Sequence, residues 1–133
     1  TLSGNPVAMS AGIAQISSCL EEGFYTDQEK RTIFFVDKIN AYANEKGYAF
    51  EIVTIGSIFW LTFGDHDPIR KADEIDADSM IDFKKMYNAL LNNGIYVGPS
   101  GYEVGFISKA HTYEILEDTA VRFCKALDNT FTA

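Results

Sequence analysis

Six consecutive residues, Ile58-Phe59-Trp60-Leu61-Thr62-Phe63, constrain the fold of this chain more than any other stretch. A strand sends its side chains alternately to two faces. Here both faces are apolar, so the segment has to be central in a sheet or covered by helices. Tyr48 to Ile55 reads as a partner strand, and Gly56-Ser57 between them is a two-residue hairpin signal. The remaining residues have to cover that hairpin.

Four helical segments are available to do so. Asn5 is placed to cap the first, with Pro6 at its first position, and it runs from Val7 to about Leu20. Met9, Ile13, Ile16 and Leu20 line one side and Ala8, Ala11 and Ala14 another. Such a helix needs cover on more than one side, which 133 residues hardly supply, so an exposed apolar face is expected. Thr26-Asp-Gln-Glu29 reads as a capping box for a second helix, which ends at Lys46-Gly47 with Phe35, Ile39 and Tyr42 as its stripe. Asp78 caps a third helix, to Asn93, with Phe83, Met86, Tyr87, Leu90 and Leu91 facing inward. Thr112 caps the last, with Glu114 in its first turn and Ile115, Leu116, Thr119, Phe123 and Leu127 as its stripe.

Two connections matter. Gly64 to Ala77 carries Asp65, Asp67, Asp73, Glu74 and Asp76, but lacks the alternating ligands, the Gly and the closing Glu of a calcium loop, so it reads as solvated. Between the last two helices, Ile95 to Val97 forms a short strand and Gly98-Pro99-Ser100-Gly101 a turn. Tyr102 to Ile107 then extends again. Alternation puts Tyr102, Val104 and Phe106 on one face and Glu103 and Gly105 on the other. An acid beside a glycine there is either a solvated outer face or an acid aimed into a cleft where a ligand nears the backbone. The order helix, helix, hairpin, helix, two short strands, helix gives an α+β fold. Its sheet is small, mainly antiparallel and covered by helices on one face.

The net charge of −8 and scattered basic pairs argue against a nucleic-acid partner. No apolar run approaches membrane-spanning length and no secretory leader is visible, so the expectation is a cytoplasmic protein. Cys19 and Cys124 fall on separate helices without metal spacing and read as buried, reduced thiols; no metal site is expected. The chain opens without Met inside a motif, Thr1-Leu-Ser-Gly-Asn-Pro6, as a piece of a longer protein would. Catalytic signals are thin. His66, His111 and Lys109 have no nucleophile or base at a recognisable spacing, and the glycines at 94, 98, 101 and 105 follow no phosphate-loop pattern. What remains is the helix N-terminus at Asn5-Pro6, which with Thr1 and Ser3 could hold an anion, and Glu103.

Those two places carry a resemblance. Thr-Leu-Ser-Gly-Asn-Pro-Val-Ala-Met at 1–9 resembles the segment opening the C-terminal part of class III, pyridoxal-phosphate-dependent aminotransferases. Gly56-Ser57-Ile58-Phe59 and the run from Gly94 to His111, with its Pro-Ser-x-Tyr-Glu-x-Gly-Phe core, resemble one branch, the glutamate-1-semialdehyde 2,1-aminomutases. The match runs end to end. It implies that residues 1–133 are the C-terminal small domain of a homodimeric fold-type-I enzyme, whose large domain carries the Schiff-base lysine and lies outside this chain. It further implies pyridoxal or pyridoxamine phosphate as cofactor, with Thr1 reaching the cofactor phosphate of the neighbouring subunit. Glu103 would stand where related aminotransferases carry an arginine for a substrate carboxylate. The implied reaction moves an amino group within glutamate-1-semialdehyde to give 5-aminolevulinate for tetrapyrrole (porphyrin) synthesis, the fragment alone being inactive. Trp60, Leu61 and Val104 depart from the branch pattern. They keep two other readings in view: an aminotransferase of the same fold with an outside amino acceptor, and a free-standing α+β interaction module.

Overall fold

A computed structural model describes residues 3–65 and 67–132. Helix α1 spans Pro6–Cys19, α2 Phe24–Lys46, β1 Phe50–Ile55, β2 Ile58–Phe63, α3 Ser79–Asn92, β3 Gly105–Phe106 and α4 Tyr113–Phe131; a single 3-10 turn, Ala72–Glu74, interrupts the acidic loop. The three strands form one antiparallel sheet in the order β1-β2-β3, so the all-apolar segment is the central strand, as its composition requires. The hairpin turns at Gly56-Ser57, with Ile55 opposite Ile58 and Gly56 at φ 57°.

Helix α2 packs on β1, α3 on β2, and α4 against both helices. The sheet turns Phe50, Ile52, Phe59, Leu61 and Phe63 to the helices, where they meet Phe35, Ile39, Phe83, Met86, Leu90, Leu116, Phe123 and Leu127. Edge-to-face ring contacts at about 6 Å, Phe35 on Phe59 and on Phe123, carry this core from sheet to outer helix. At the far end the hydroxyls of Tyr42 and Tyr48 both donate to the Asp128 carboxylate, at 2.8 and 2.9 Å, tying the end of α4 to α2. Among the described residues no helix is long and apolar enough to cross a membrane.

Several local expectations are corrected. The Thr26–Glu29 capping box does not form: Gly23, at φ 78°, turns the chain directly into a helix starting at Phe24, so both residues lie inside it. Asp78 occupies the N-cap position of α3, but its backbone is already helical (φ −70°, ψ −23°), and its carboxylate makes no capping bond. Thr112 does cap α4, accepting from the Ile115 N–H at 3.3 Å. Ile115 and Leu91 stay exposed at 46% and 42%, whereas Ala89, Ala120 and Ala126 are buried on the same helices. Both cysteines are free, and half-buried rather than buried.

The first helix has no buried residue. Val7, Met9, Ile13, Ile16 and Leu20 are 56–79% exposed, and α2 is the one element that α1 touches appreciably. An apolar helix lying in water is the arrangement its all-round composition implied for this chain.

Candidate functional site

The segment from Gly94 to His111 leads from the end of α3 through the edge strand β3 to the start of α4. Helix α3 stops when the Ile95 N–H bonds the Leu90 carbonyl at 2.9 Å and Gly94 takes φ 73°, a conformation that favours glycine. Residues 95–98 form no strand; together with β3 they line a cleft of about 420 Å³. Phe35, Phe59, Val97, Leu116 and Phe123 wall this cleft, with His111, Thr119 and Arg122 as its polar members. Arg122 pairs with Asp118 and donates to the Asn93 carbonyl at 3.4 Å, while its buried Nε has no hydrogen-bond partner among the described residues. The cleft was not legible as a site, since its lining is drawn from segments as far apart as Phe35, Phe59, Val97 and Phe123.

The second extended stretch is shorter than its alternation predicts. The Glu103 N–H bonds the Ser100 carbonyl at 3.0 Å, which carries the turn through Tyr102 and delays the strand to Gly105. Gly105 and Ile107 turn inward, whereas Tyr102, Val104 and Phe106 are 45–61% exposed, so the apolar alternate residues face outward. Glu103 is exposed as well. Its carboxylate lies across Gly98, an oxygen standing within 2.0 Å of where a Cβ at 98 would be. It borders a crevice of only about 10 Å³, shared with Phe83, Val97 and Gly101. That is room for a water at most, and a substrate pocket there would need walls from beyond the described residues.

The strand's other end is held by backbone and basic contacts. Ile107 N–H bonds the Ser57 carbonyl at 2.9 Å. The Ser108 N–H donates to His111 Nδ1 at 2.9 Å, which puts the proton of a neutral ring on Nε2. Arg31 bridges the Asp27 carboxylate and the His111 carbonyl, and Lys109 is ion-paired with Glu21 at 2.8 Å. Lys109 is therefore engaged as a surface ion pair, not poised as a free amine.

The anion reading at the start of α1 is not supported by the geometry. Asn5 Oδ1 accepts from both Val7 and Ala8 N–H, at 3.0 and 3.1 Å, Pro6 has no N–H, and Met9 N–H bonds the Asn5 carbonyl. The donors that would receive an anion are thus already taken by the cap. Thr1 and His66 lie outside the described residues. In the acidic loop, no three carboxylate, His or Cys side chains converge among the described residues.

The class emerges from the fold. The chain superposes with TM-score 0.74 and 28% identity on a solved transaminase with PLP bound, over 96% of this chain and 28% of that one. With an omega-transaminase from Sphaerobacter thermophilus the TM-score is 0.80 over 98% of this chain and 29% of that one, at 19% identity, a likeness of fold. This is the α+β architecture of a part of the aminotransferases. No protein-family model matches the chain. Curated relatives are more specific: it is 41% identical over 128 residues to glutamate-1-semialdehyde 2,1-aminomutase from Leptospira biflexa serovar Patoc, covering 96% of this chain and 30% of the relative. It is 40% identical over 131 residues to the protein of that name from Neisseria meningitidis serogroup C, with the same coverage. The chain is therefore similar to a segment of the glutamate-1-semialdehyde 2,1-aminomutases, and spans about 30% of the length of the relatives it matches.

Proposed function

We propose that this chain is the C-terminal small domain of a glutamate-1-semialdehyde 2,1-aminomutase. The complete enzyme would be a cytoplasmic homodimer using pyridoxal or pyridoxamine phosphate to convert glutamate-1-semialdehyde to 5-aminolevulinate in porphyrin synthesis. The observation that carries this reading is the 41% identity spread over nearly the whole chain to a relative of that name. The chain's 30% share of that relative supports a further, larger domain.

The cofactor supplies the amino-group chemistry in such an enzyme. The described residues do not fit it by themselves: the amides opening α1 are occupied by Asn5, and the other motif side chain, Glu103, is an acid that repels a phosphate. No step through the cofactor is assigned to this chain. Its own contribution is Glu103, a side chain presented at the surface on a clamped backbone. A carboxylate at that place disfavours a substrate's second carboxylate and favours a cationic amino group, which separates the mutase substrate from ordinary amino acids.

In the full-length enzyme, Glu103→Gln is expected to lower kcat/KM for glutamate-1-semialdehyde about tenfold or more, and this chain alone to convert none. A full-length Glu103→Gln enzyme of unchanged kcat/KM, or turnover by residues 1–133 alone, would refute the reading. The second reading is an aminotransferase with an external acceptor, favoured by the transaminase whose structure shares 28% identity. Amino transfer to 2-oxo acids by the full-length enzyme, faster than isomerisation, would establish it.

A further inference from the structure

We propose that Trp60 is a positioning residue for Glu103, an inference that rests on the substrate-facing reading of that acid. The indole Nε1–H of Trp60 donates to the Gly101 carbonyl at 2.7 Å, across 41 residues of sequence. Gly101 is buried and is closed from its other side by α3: a Cβ there would lie 2.5 Å from the Met80 sulfur and 3.0 Å from Phe83. Four residues on, Gly105 pairs with Phe59 in the sheet, and the Phe59 ring fills the space above it, 2.1 Å from where a Cβ would stand. Adjacent residues of the central strand thus grip the two ends of Gly101–Gly105, and Glu103 is the middle residue between them.

The acid depends on that grip. Its carboxylate makes no hydrogen bond or ion pair of its own among the described residues and touches the Gly98 backbone. Its direction is therefore set by the main chain, held locally by Glu103 N–H on the Ser100 carbonyl and Tyr102 N–H on Ser100 Oγ. Those bonds shape the turn but do not fix it to the rest of the protein. The Trp60 bond and the packing of Gly101 and Gly105 do. Because Trp60 is half-buried, Trp60→Phe keeps an aromatic body at the site while removing the N–H, which separates the clamp from the packing.

Two experiments test this, and they fail separately. Trp60 is the one tryptophan in the chain, so its indole resonance is unambiguous in residues 1–133. That proton should exchange slowly, and Trp60→Phe should accelerate amide exchange across residues 98–105 while leaving α2 and α4 unchanged. An indole proton exchanging as fast as a free one, or exchange at 98–105 unaffected by the substitution, overturns the clamp whatever the enzyme does. In the full-length enzyme, Trp60→Phe should reduce kcat/KM roughly three- to tenfold, the scale of one hydrogen bond. In a Glu103→Gln background the same change should be nearly silent, because the group being positioned is gone. Equal losses in both backgrounds would make Trp60 a structural residue and overturn the proposal. A Glu103→Gln enzyme of full activity would instead overturn the substrate-facing reading, and with it the positioning role, while leaving the exchange result intact.

Discussion

Asn40 sits on α2, twelve residues before Ile52 in the strand it serves. Its side-chain amide donates to the Ile52 carbonyl at 2.9 Å and accepts from the Ile52 N–H at 2.8 Å. Ile52 faces Leu61 across the β1–β2 ladder, and its own main-chain groups point to the outer edge of β1. One side chain therefore takes the place of a missing neighbouring strand at the edge where another chain could pair. Asn40→Ala removes both bonds. At about 1 kcal/mol net for each, the loss is about 2 kcal/mol, rising toward 4 if both Ile52 groups stay dry, since an orphaned buried group costs roughly 1–3 kcal/mol. Ile52 is only 2% exposed, which argues for the upper half of that range. The better helix propensity of Ala returns a few tenths of a kcal/mol. The expected result is a destabilisation of about 3 kcal/mol by urea unfolding, with Tm lowered by roughly 10 °C for a chain of this size. Asn44→Ala, one turn further along α2 and exposed, is the control and should stay within about 0.5 kcal/mol. If Asn40→Ala matched that control, the amide would be decorating the edge and not closing it.

The exposed apolar side of α1 should make this chain self-associate as its concentration rises. Ile13→Glu with Ile16→Glu should return it to a monomer in sedimentation while moving Tm by no more than about 2 °C, and a monomeric parent chain at all concentrations would count against the argument. Asp128 makes an alkaline prediction. Its acceptance of the Tyr42 hydroxyl bond, helped by burial and its charge, pushes that phenol up to about 12, above the unfolded value near 10. The folded state then binds this proton more tightly than the unfolded state. The stability so contributed is complete below about pH 10 and disappears as pH rises through about 12. Absorbance titration should show Tyr42 ionising late, and Asp128→Asn should bring it back toward an ordinary phenol; a late titration surviving that substitution would refute the cause.

Much of the fold was readable from sequence because the deciding signals are local. A strand apolar on both faces becomes the centre of the sheet, Gly56-Ser57 makes its hairpin, and Thr112 caps the helix it precedes. Failures came where two local signals competed. Gly23 overrode the Thr26 capping box because a left-handed glycine starts a helix without a side-chain acceptor, and the Ser100 turn consumed the first residues of the predicted second strand.

The amino-acid order alone carried the resemblance and the exposed helix: the Pro-Ser-x-Tyr-Glu-x-Gly-Phe run and the apolar first helix are linear features, visible without a fold. Only the tertiary structure decided what surrounds them. That Glu103 is an exposed side chain over Gly98 and that Trp60 reaches Gly101 both depend on directions of side chains. Direction is set by packing between segments distant in the chain, and periodicity carries no record of it.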